Sequence, residues 1–387
     1  MMASTGTGRY HGAVGCRLQS QWEVAQVGTH ISNTGKKMAA NNNEEVPQLK
    51  QVRLGETGLH VSELILGTMT FDEGKTNSWG MPAADEEASF AMMDAYAARG
   101  GTTLDTADIY GGGKSEEVVG RWLGAQADKD KYVVATKVWG EMGDGPNNKG
   151  LGARHIAAAA RQSLKRLQLE TIDLYQAHNV DPDTPLEETL IALDDLVRAG
   201  LVRYVGVSNF PAYKMAQAHA IADRLGLRSR IVSLQPQYSL LARTVEWDCL
   251  PYTLESGMGV IPWSPLKGGW LAGKYSREDA PPEGSRVQWA ESVGWDVMDY
   301  STVGTPKTFD VVDKVKEIAL ETGRSPSQVS LRWLMQKDAV TAPIIGASKM
   351  EHLEDNLDAA TFTLSDDQMA ALDAVSSIPK PYPWNAY

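Results

Sequence analysis

The sequence has few cysteines, no long apolar run and no excess of basic residues, and each shortage excludes a class of protein. Its 387 residues include two cysteines, Cys16 and Cys249, and neither has His or Cys partners at zinc-ligand spacing. Charge or proline interrupts every apolar stretch well before the roughly 20 residues that a membrane-spanning helix needs. Lys and Arg number 37 against 49 Asp and Glu, a net charge of −12. We therefore expect no zinc site, no membrane span and no nucleic-acid or membrane partner.

Two nucleotide-binding fingerprints are also missing. No G-x-G-x-x-G follows a predicted strand, which argues against a Rossmann domain. Gly113-Lys114-Ser115 resembles the end of a P-loop. The first glycine of that motif would fall at Asp108, however, so its phosphate-binding loop cannot form.

The amino-terminal residues differ in composition from the rest of the chain. The first 43 residues carry four basic side chains against Glu23 as the single acid, and they show no sustained apolar periodicity. Residues 1–50 are therefore predicted to be a disordered extension. A transit peptide in residues 1–37, and hence an organellar location, stays an alternative. An extension without catalytic consequence on a cytoplasmic protein is favoured, because the arginine density and the amphipathic face of a transit peptide are weak here.

From Val52 onward, short β-branched or apolar runs alternate with amphipathic stretches, which is typical of a parallel sheet covered by helices. Eight strands are predicted, at 64–69, 102–105, 133–138, 172–178, 204–208, 231–235, 260–263 and 342–345. Eight helices are predicted to follow them, at 86–99, 115–125, 154–167, 186–199, 212–225, 245–256, 307–322 and 350–359. The sequence thus predicts one (β/α)8 barrel over residues 51–387.

Local signals refine this prediction. Asp85 and Ser115 are predicted helix N-caps, and Gly100 and Gly200 are predicted helix stops. Amphipathic segments at 325–336 and 365–376 are predicted to pack on the barrel. The segment 265–306 is long, rich in Gly and Pro and weakly periodic, so a lid or binding loop is expected there.

Barrel enzymes carry their chemistry at the carboxyl ends of the strands, and several polar residues fall at these ends. The candidates are Asp105, Lys137, His178, Ser208, Asn209 and Gln235. Alternate residues of a barrel strand point inward, so His178 is expected to share its inner face with Gln176. Tyr110 follows Asp105 by five residues, in a loop whose three consecutive glycines permit a tight turn over the opening.

Taken singly, these residues have ordinary structural interpretations: an ion pair, a hydrogen-bonded core histidine and a loop aromatic. Taken together, they predict carbonyl reduction. A buried Lys137 needs Asp105 as an anionic partner, and a lysinium beside Tyr110 is expected to lower the pKa of the phenol from about 10. Tyr110 and His178 would then stabilise the negative charge that grows on a carbonyl oxygen. This chemistry requires no metal.

At these residues the chain resembles the aldo-keto reductase superfamily. The segment 104–111 with Ser115, Glu116 and Gly120 is similar to the motif that holds the family's Asp and Tyr, 136–139 to its lysine motif and 172–178 to its histidine motif. The resemblance covers roughly residues 54–374 and implies a catalytic tetrad. Its members would be Asp105, Tyr110, Lys137 and His178.

The resemblance also implies NADP(H) as cofactor and a set of residues that hold it. The nicotinamide end would involve Gly67, Thr68, Met69, Asp105, Ser208, Asn209, Gln235, Trp263 and Ser264. The loop over the pyrophosphate would supply Leu266, Gly268, Gly269 and Lys274. The adenosine-phosphate end would be bound by Ser348, Lys349, His352, Asp355 and Asn356. Of everything that the family resemblance implies, the choice of NADPH over NADH follows least directly from it.

Substrate contacts are expected from Trp79, Tyr110, Trp139 and His178, although core packing is an equal alternative for the two tryptophans. The arrangement is most similar to the subgroup of potassium-channel β subunits and bacterial oxidoreductases. Two functions therefore stay open: a reductase of aldehydes or ketones, or an NADPH-binding redox-sensing regulatory subunit that turns over slowly. The substrate and the oligomeric state, monomer or homo-oligomer, do not follow from the sequence.

Overall fold

The structure, a computed structural model, describes residues 47–277 and 281–386, and predictions that concern residues 1–46 lie outside this part. A short antiparallel hairpin, β1 (Gln51–Arg53) and β2 (His60–Ser62), precedes a parallel sheet of eight strands. The eight strands are β3 (Ile65–Gly67), β4 (Thr103–Asp105), β5 (Val133–Val138), β6 (Ile172–Ala177), β7 (Val202–Ser208), β8 (Ile231–Gln235), β9 (Gly259–Val260) and β10 (Ile344–Gly346).

The sheet curls until its two edge strands, β9 and β10, meet. Each strand from β3 to β9 pairs with its neighbour in the chain, and β10 pairs with β3. Across the remaining gap, the Ile344 N–H donates to the Pro262 carbonyl at 2.8 Å and the Thr341 N–H donates to the Val260 carbonyl at 2.8 Å. The predicted (β/α)8 barrel fold is thereby confirmed.

Several predicted strands are shorter in the structure. The first ends at Gly67 because the Thr68 N–H bonds to the Asp105 carbonyl and the Phe71 N–H turns back to Thr68. The seventh is only Gly259–Val260, since Pro262 has no N–H to continue a ladder. The fourth strand ends one residue earlier than predicted, at Ala177, and the eighth shifts to Ile344–Gly346. The fifth strand is longer than predicted, because it begins at Val202.

Helices cover the outside of the barrel. Those that follow the strands are α1 (Glu86–Ala98), α2 (Lys114–Gly124), α3 (Ala153–Leu167), α4 (Leu186–Arg198), α5 (Ala212–Leu225), α6 (Cys249–Ser256), α9 (Pro306–Thr322) and α11 (Met350–Leu357). The predicted cap at Asp85 is confirmed, because its carboxylate accepts from the Ala88 N–H at 3.1 Å. Ser115 as a cap is wrong. Helix α2 already begins at Lys114, and the buried Ser115 hydroxyl donates to the Thr68 carbonyl.

Two regions contain structure that the sequence pattern did not predict. The segment 265–306 (the lid), expected as a lid or binding loop, contains a 3-10 turn (Lys267–Ala272) and the helices α7 (Arg286–Val293) and α8 (Tyr300–Val303). The hairpin β1–β2 packs its Leu54 and Val61 against Ile65 and Leu174 of the barrel interior. It fills the end of the barrel opposite the strand carboxyl termini.

The additional helices α10 (Pro326–Met335) and α12 (Asp366–Ser376) pack against α9 as expected. Both begin with a capping box, formed by Ser325 with Gln328 and by Ser365 with Gln368. Leu49, which the sequence analysis assigned to the extension, is 5% exposed, and its N–H bonds to the Arg99 carbonyl. Within the described ranges, no helix is both long and apolar enough to cross a membrane.

Candidate active site

The buried ammonium of Lys137 lies at the centre of the polar cluster at the barrel mouth. Lys137 is the penultimate residue of β5, and its side chain is fully buried. Its Nζ donates to Asp105 Oδ1 at 2.5 Å, to the Thr106 carbonyl at 2.8 Å and to Tyr110 Oη at 3.2 Å. Burial alone would lower the pKa of Lys137, but Asp105 and Tyr110 together outweigh it and raise the pKa above its usual value. Lys137 is therefore a permanent cation in contact with the phenol.

The loop after β4 carries Tyr110 over the mouth. Gly111 and Gly112 have φ of 58° and 65°, values that L side chains avoid, and a Cβ at Gly111 would meet Asp72 Oδ2 at 2.6 Å. The glycines thus let the chain turn tightly behind Tyr110. Asp108, two residues earlier, anchors the loop through its N–H, which donates to the Lys137 carbonyl at 3.2 Å.

The expected net lowering of the Tyr110 pKa is not what the structure gives. Burial raises the pKa of Tyr110 above 10, and the charge of Lys137 opposes this rise without cancelling it. The physical reason is desolvation, which penalises a phenolate more strongly here than one neighbouring cation can compensate. Tyr110 is therefore a neutral phenol at physiological pH.

His178 faces Tyr110 from the end of β6. Their ring centroids are 5.9 Å apart, and the rings are nearly perpendicular at 77°. Burial lowers the pKa of His178 to about 3, with a smaller contribution from the charge of Lys137. The imidazole is consequently neutral at physiological pH, with one ring N–H that can donate a hydrogen bond.

Two glutamines that project into the barrel complete the surroundings of Asp105. Gln176 Nε2 donates to Asp105 Oδ2 at 3.2 Å, and Gln235 Nε2 donates to the same oxygen at 2.8 Å. The sequence analysis placed Gln176 on the inner face but gave it no role. The two-residue alternation of β6 indicated that Gln176 points inward, but alternation along one strand cannot reveal a contact across the barrel.

Asn209, the residue after β7, joins two of the other candidates. Its backbone is left-handed, with a φ of 59°, and its Nδ2 donates to the His178 carbonyl at 3.0 Å. Its Oδ1 accepts from the indole Nε1 of Trp263 at 3.0 Å. The Ser208 hydroxyl donates to the Gln235 carbonyl at 2.8 Å. The structure thus brings together the candidates Ser208, Asn209, Gln235 and Trp263.

A second cluster lies where β10 leads into α11. Lys274 Nζ is 3.0 Å from His352 Nε2. Burial, with the nearby charge of Lys349, lowers the pKa of Lys274. Lys349 is exposed and lies 3.7 Å from Glu351. Burial and the charges of both lysines lower the pKa of His352, so its ring is neutral at physiological pH and two cations, Lys274 and Lys349, converge in a chain of net charge −12.

The carboxylate of the candidate Asp355 is hydrogen-bonded to another helix. The Asp355 carboxylate accepts from the Ser325 hydroxyl and from Gln328 Nε2, both at 2.9 Å, and it thereby ties α11 to the start of α10. Asn356 is 3% exposed. In this structure the carboxylate of Asp355 serves helix packing.

The lid forms one wall of the mouth. Trp289 of α7 donates its indole N–H to the Trp79 carbonyl at 2.8 Å, and the Trp79 ring contacts Tyr110 edge-on at 6.4 Å. Arg286, which the sequence analysis missed, lies close enough to Tyr110 for its charge to lower the pKa of the phenol. No carboxylate within the described ranges pairs with it. Trp139 is 37% exposed at the rim, beside Gly140, which packs against Ile109 of the Tyr110 loop.

Comparison with known proteins identifies relatives over most of the chain. Residues 63–377 match the sequence model of the aldo/keto reductase family. An uncharacterized oxidoreductase of Bacillus subtilis (strain 168) is 34% identical over 352 residues, which cover 86% of this chain and 98% of the relative. A putative voltage-gated potassium channel subunit beta of Schizosaccharomyces pombe is 36% identical, covering 80% of this chain and 87% of the relative. An aryl-alcohol dehydrogenase [NADP(+)] of Phanerodontia chrysosporium is 33% identical, covering 84% and 86%.

Proposed function

This chain belongs to the aldo/keto reductase family of oxidoreductases, and we propose that it reduces aldehydes or ketones to alcohols with NADP(H), using Asp105, Tyr110, Lys137 and His178. One observation carries the proposal. The buried Lys137 ammonium contacts both the Asp105 carboxylate and the Tyr110 phenol, within reach of the neutral His178 ring.

Each member of this tetrad has a distinct role in the proposal. Tyr110 donates its proton to the carbonyl oxygen of the substrate, and His178 donates a hydrogen bond to the same oxygen. Lys137 stabilises the phenolate that Tyr110 becomes, so its charge acts most strongly when the proton has left. Asp105 keeps Lys137 charged and in place.

The residues at the mouth fit a nicotinamide dinucleotide, whose chemical contribution when bound is a hydride for the carbonyl carbon. At the reaction end, Ser208, Asn209 and Gln235 present amide and hydroxyl groups beside the indole of Trp263, which can stack on a planar ring. Gly67 is the last residue of β3, level with Asp105 of β4, and Thr68 and Met69 follow it. These groups would hold the nicotinamide against Tyr110.

The phosphate groups are proposed to bind farther along the lid. Ser264 and Leu266 lie at the turn that begins the lid, and Gly268 has a left-handed φ of 66° that allows close approach of the backbone. Lys274 and Lys349 supply positive charge beyond it, His352 supplies a neutral ring that can donate a hydrogen bond, and Ser348 and Asn356 lie close by in sequence. A 2′-phosphate there would relieve the repulsion between these cations, which is the reason for proposing NADPH rather than NADH.

Trp79 and Trp139 are proposed to border the substrate pocket, together with Tyr110 and His178. Trp79 contacts Tyr110 directly, whereas Trp139 lies at the rim. The relative named aryl-alcohol dehydrogenase makes aromatic aldehydes the first substrates to try. We further propose a cytoplasmic protein whose partners are small molecules.

The similarity to potassium-channel β subunits supports a second candidate. A redox-sensing regulatory subunit would bind NADPH tightly and turn over slowly, because release of the cofactor would limit it. The complete polar cluster around Lys137 favours the enzyme, since a sensor needs binding but not fast proton transfer.

A direct assay separates the two. The full-length protein should oxidise NADPH when mixed with aromatic, aliphatic or sugar aldehydes, as monitored by absorbance. Multiple turnovers per second with at least one class would support the reductase. One rapid turnover followed by slow cofactor release in stopped flow would support the regulatory subunit, and absence of even a single turnover would refute both.

A further inference from the structure

Asp105 is held by more than its lysine. Oδ1 accepts from Lys137, whereas Oδ2 accepts from the amides of Gln176 and Gln235. Asp105, Gln176 and Gln235 come from β4, β6 and β8 respectively. These are alternate strands of the barrel, so the three side chains contribute to one interior layer. Gln176 and Gln235 are both almost fully buried.

The acceptor-only chemistry of a carboxylate fixes the orientation of both amides. An ionised Asp105 oxygen can only accept, so each glutamine must turn its NH₂ group toward it. Gln235 Nε2 uses its other hydrogen on Gln176 Oε1, at 3.2 Å. The amide nitrogen of Gln235 is thereby saturated inside the barrel. Its Oε1 is left without a hydrogen bond to the described part of the chain.

The strand next to Gln176 makes room for it. Gln176 is level with Gly206 of β7, where an added Cβ would lie 3.1 Å from Gln176 Cγ and 2.4 Å from Ser233 Oγ. A side chain at position 206 would overlap the Ser233 hydroxyl and crowd Gln176. The glycine therefore leaves space for Gln176 beside β7.

We propose that Gln176 is a positioning residue that fixes Asp105 and, at the same time, turns the amide oxygen of Gln235 toward the nicotinamide carboxamide. This inference rests on the proposed function, because it assumes that Gln235 faces the cofactor. The Gln176 side chain would then connect the residue that binds the cofactor, Gln235, to the residue that holds Lys137, Asp105. Neither contact requires a bound substrate.

The test uses three variants of the full-length protein. In Gln176→Leu the donor to Asp105 and the acceptor for Gln235 are both lost, at similar volume. We expect NADPH and NADH to bind about fivefold more weakly, by the same factor, as for loss of one net hydrogen bond. Binding is measured by fluorescence quenching without substrate. We also expect kcat to fall while the KM for the carbonyl compound changes little.

Gln176→Glu provides a signature that a merely structural role would not show. A protonated glutamic acid can make the two contacts at issue, one donated to Asp105 and one accepted from Gln235, whereas its carboxylate would repel Asp105. The variant should therefore approach wild-type cofactor affinity at low pH and lose affinity as the pH rises, relative to wild type at each pH. Ser233→Ala is the matched control. It alters a fully buried side chain of the same interior, whose hydroxyl has no hydrogen-bond partner among residues 47–277 and 281–386, and it should change neither affinity nor pH dependence.

The outcomes are distinct. A wild type that turns over, beside a Gln176→Leu variant with unchanged cofactor affinity, would overturn this inference and leave the proposed function standing. Weakening of NADPH alone would also overturn it, because the nicotinamide end is common to both cofactors. A wild type that binds neither cofactor would overturn both proposals.

Discussion

Lys137 Nζ donates to Tyr110 Oη at 3.2 Å, and this direction of donation decides where the phenolic hydrogen can point. A lysinium has three donors and no acceptor, so the Tyr110 hydrogen cannot be directed at it. The hydrogen therefore points away from Lys137. His178 and Trp79 lie edge-on to the same ring. The phenol is thus arranged as a donor for whatever oxygen enters between these rings.

Tyr110→Phe tests that assignment. The change removes the proton donor and little else, so we expect folding and NADPH affinity to stay near wild type while the reduction rate falls by orders of magnitude. Single-turnover kinetics with a saturating aldehyde measures the rate. Near-normal turnover would eliminate Tyr110 as the acid.

Lys137→Met should slow reduction and change its pH dependence. Loss of the cation removes the strongest of the influences that lower the pKa of Tyr110 against the effect of burial, so that pKa should rise further. The change also strands the Asp105 charge inside the barrel, at a cost of about 3–5 kcal/mol of stability. Combining it with Asp105→Asn should recover stability but not rate. An unchanged pH profile in a variant with residual activity would contradict the role given to Lys137.

Lys349→Ala tests the preference for NADPH. The Lys349–Glu351 pair is exposed and contributes little to stability, so the variant should fold normally. Loss of one charge-assisted contact should weaken NADPH binding by roughly 1–2 kcal/mol and leave NADH nearly unchanged. Raising the ionic strength should narrow the wild-type difference between the cofactors. Equal weakening of both, or of neither, would remove Lys349 from the site and leave the selection to Lys274.

Asp108→Asn should change how stability depends on pH. Both carboxyl oxygens of Asp108 are buried, and no side chain in the described ranges donates to them. Burial, together with the negative charge of Glu116, raises the pKa of Asp108 to about 8. The folded chain therefore keeps a proton that the unfolded chain releases near pH 4, so stability falls as the pH rises from about 4 to 8. The slope of this contribution is at most about 1.4 kcal/mol per pH unit.

The asparagine variant lacks this titration. Its melting temperature relative to wild type should increase between pH 4 and 8 and then level off. Thermal unfolding in a series of buffers measures the difference. A difference that is constant with pH would show that Asp108 is ionised in the folded protein.

A chain that starts at Met38 tests the prediction for the extension. Because the residues before it show no packing pattern, we expect the activity and the melting temperature of this shorter protein to equal those of the full chain. A clear loss of either would refute the prediction. Leu49 should be retained in any shorter version, since it is buried against the barrel.

The sequence by itself determined the fold class and most members of the polar cluster. Strand periodicity is a local property, and Asp105, Lys137 and His178 stand at or just beyond strand ends that any parallel barrel must bring to one mouth. The turn around Tyr110 was equally local, because three consecutive glycines are needed for its left-handed backbone. The bounds of β3 and β9 were harder to predict from the sequence, since a strand ends where hydrogen bonding to its neighbouring strands stops.

Only the tertiary structure decided the energetics and the contacts across the barrel. The pKa of Tyr110 rises instead of falling because desolvation depends on everything packed around the ring, and this effect outweighs the nearby charges of Lys137 and Arg286. The contact from Gln176 to Asp105 joins residues 71 positions apart, and the indole of Trp289 reaches Trp79 across 210. Such contacts arise from how strands and helices pack, and the local pattern of neighbouring residues does not predict them.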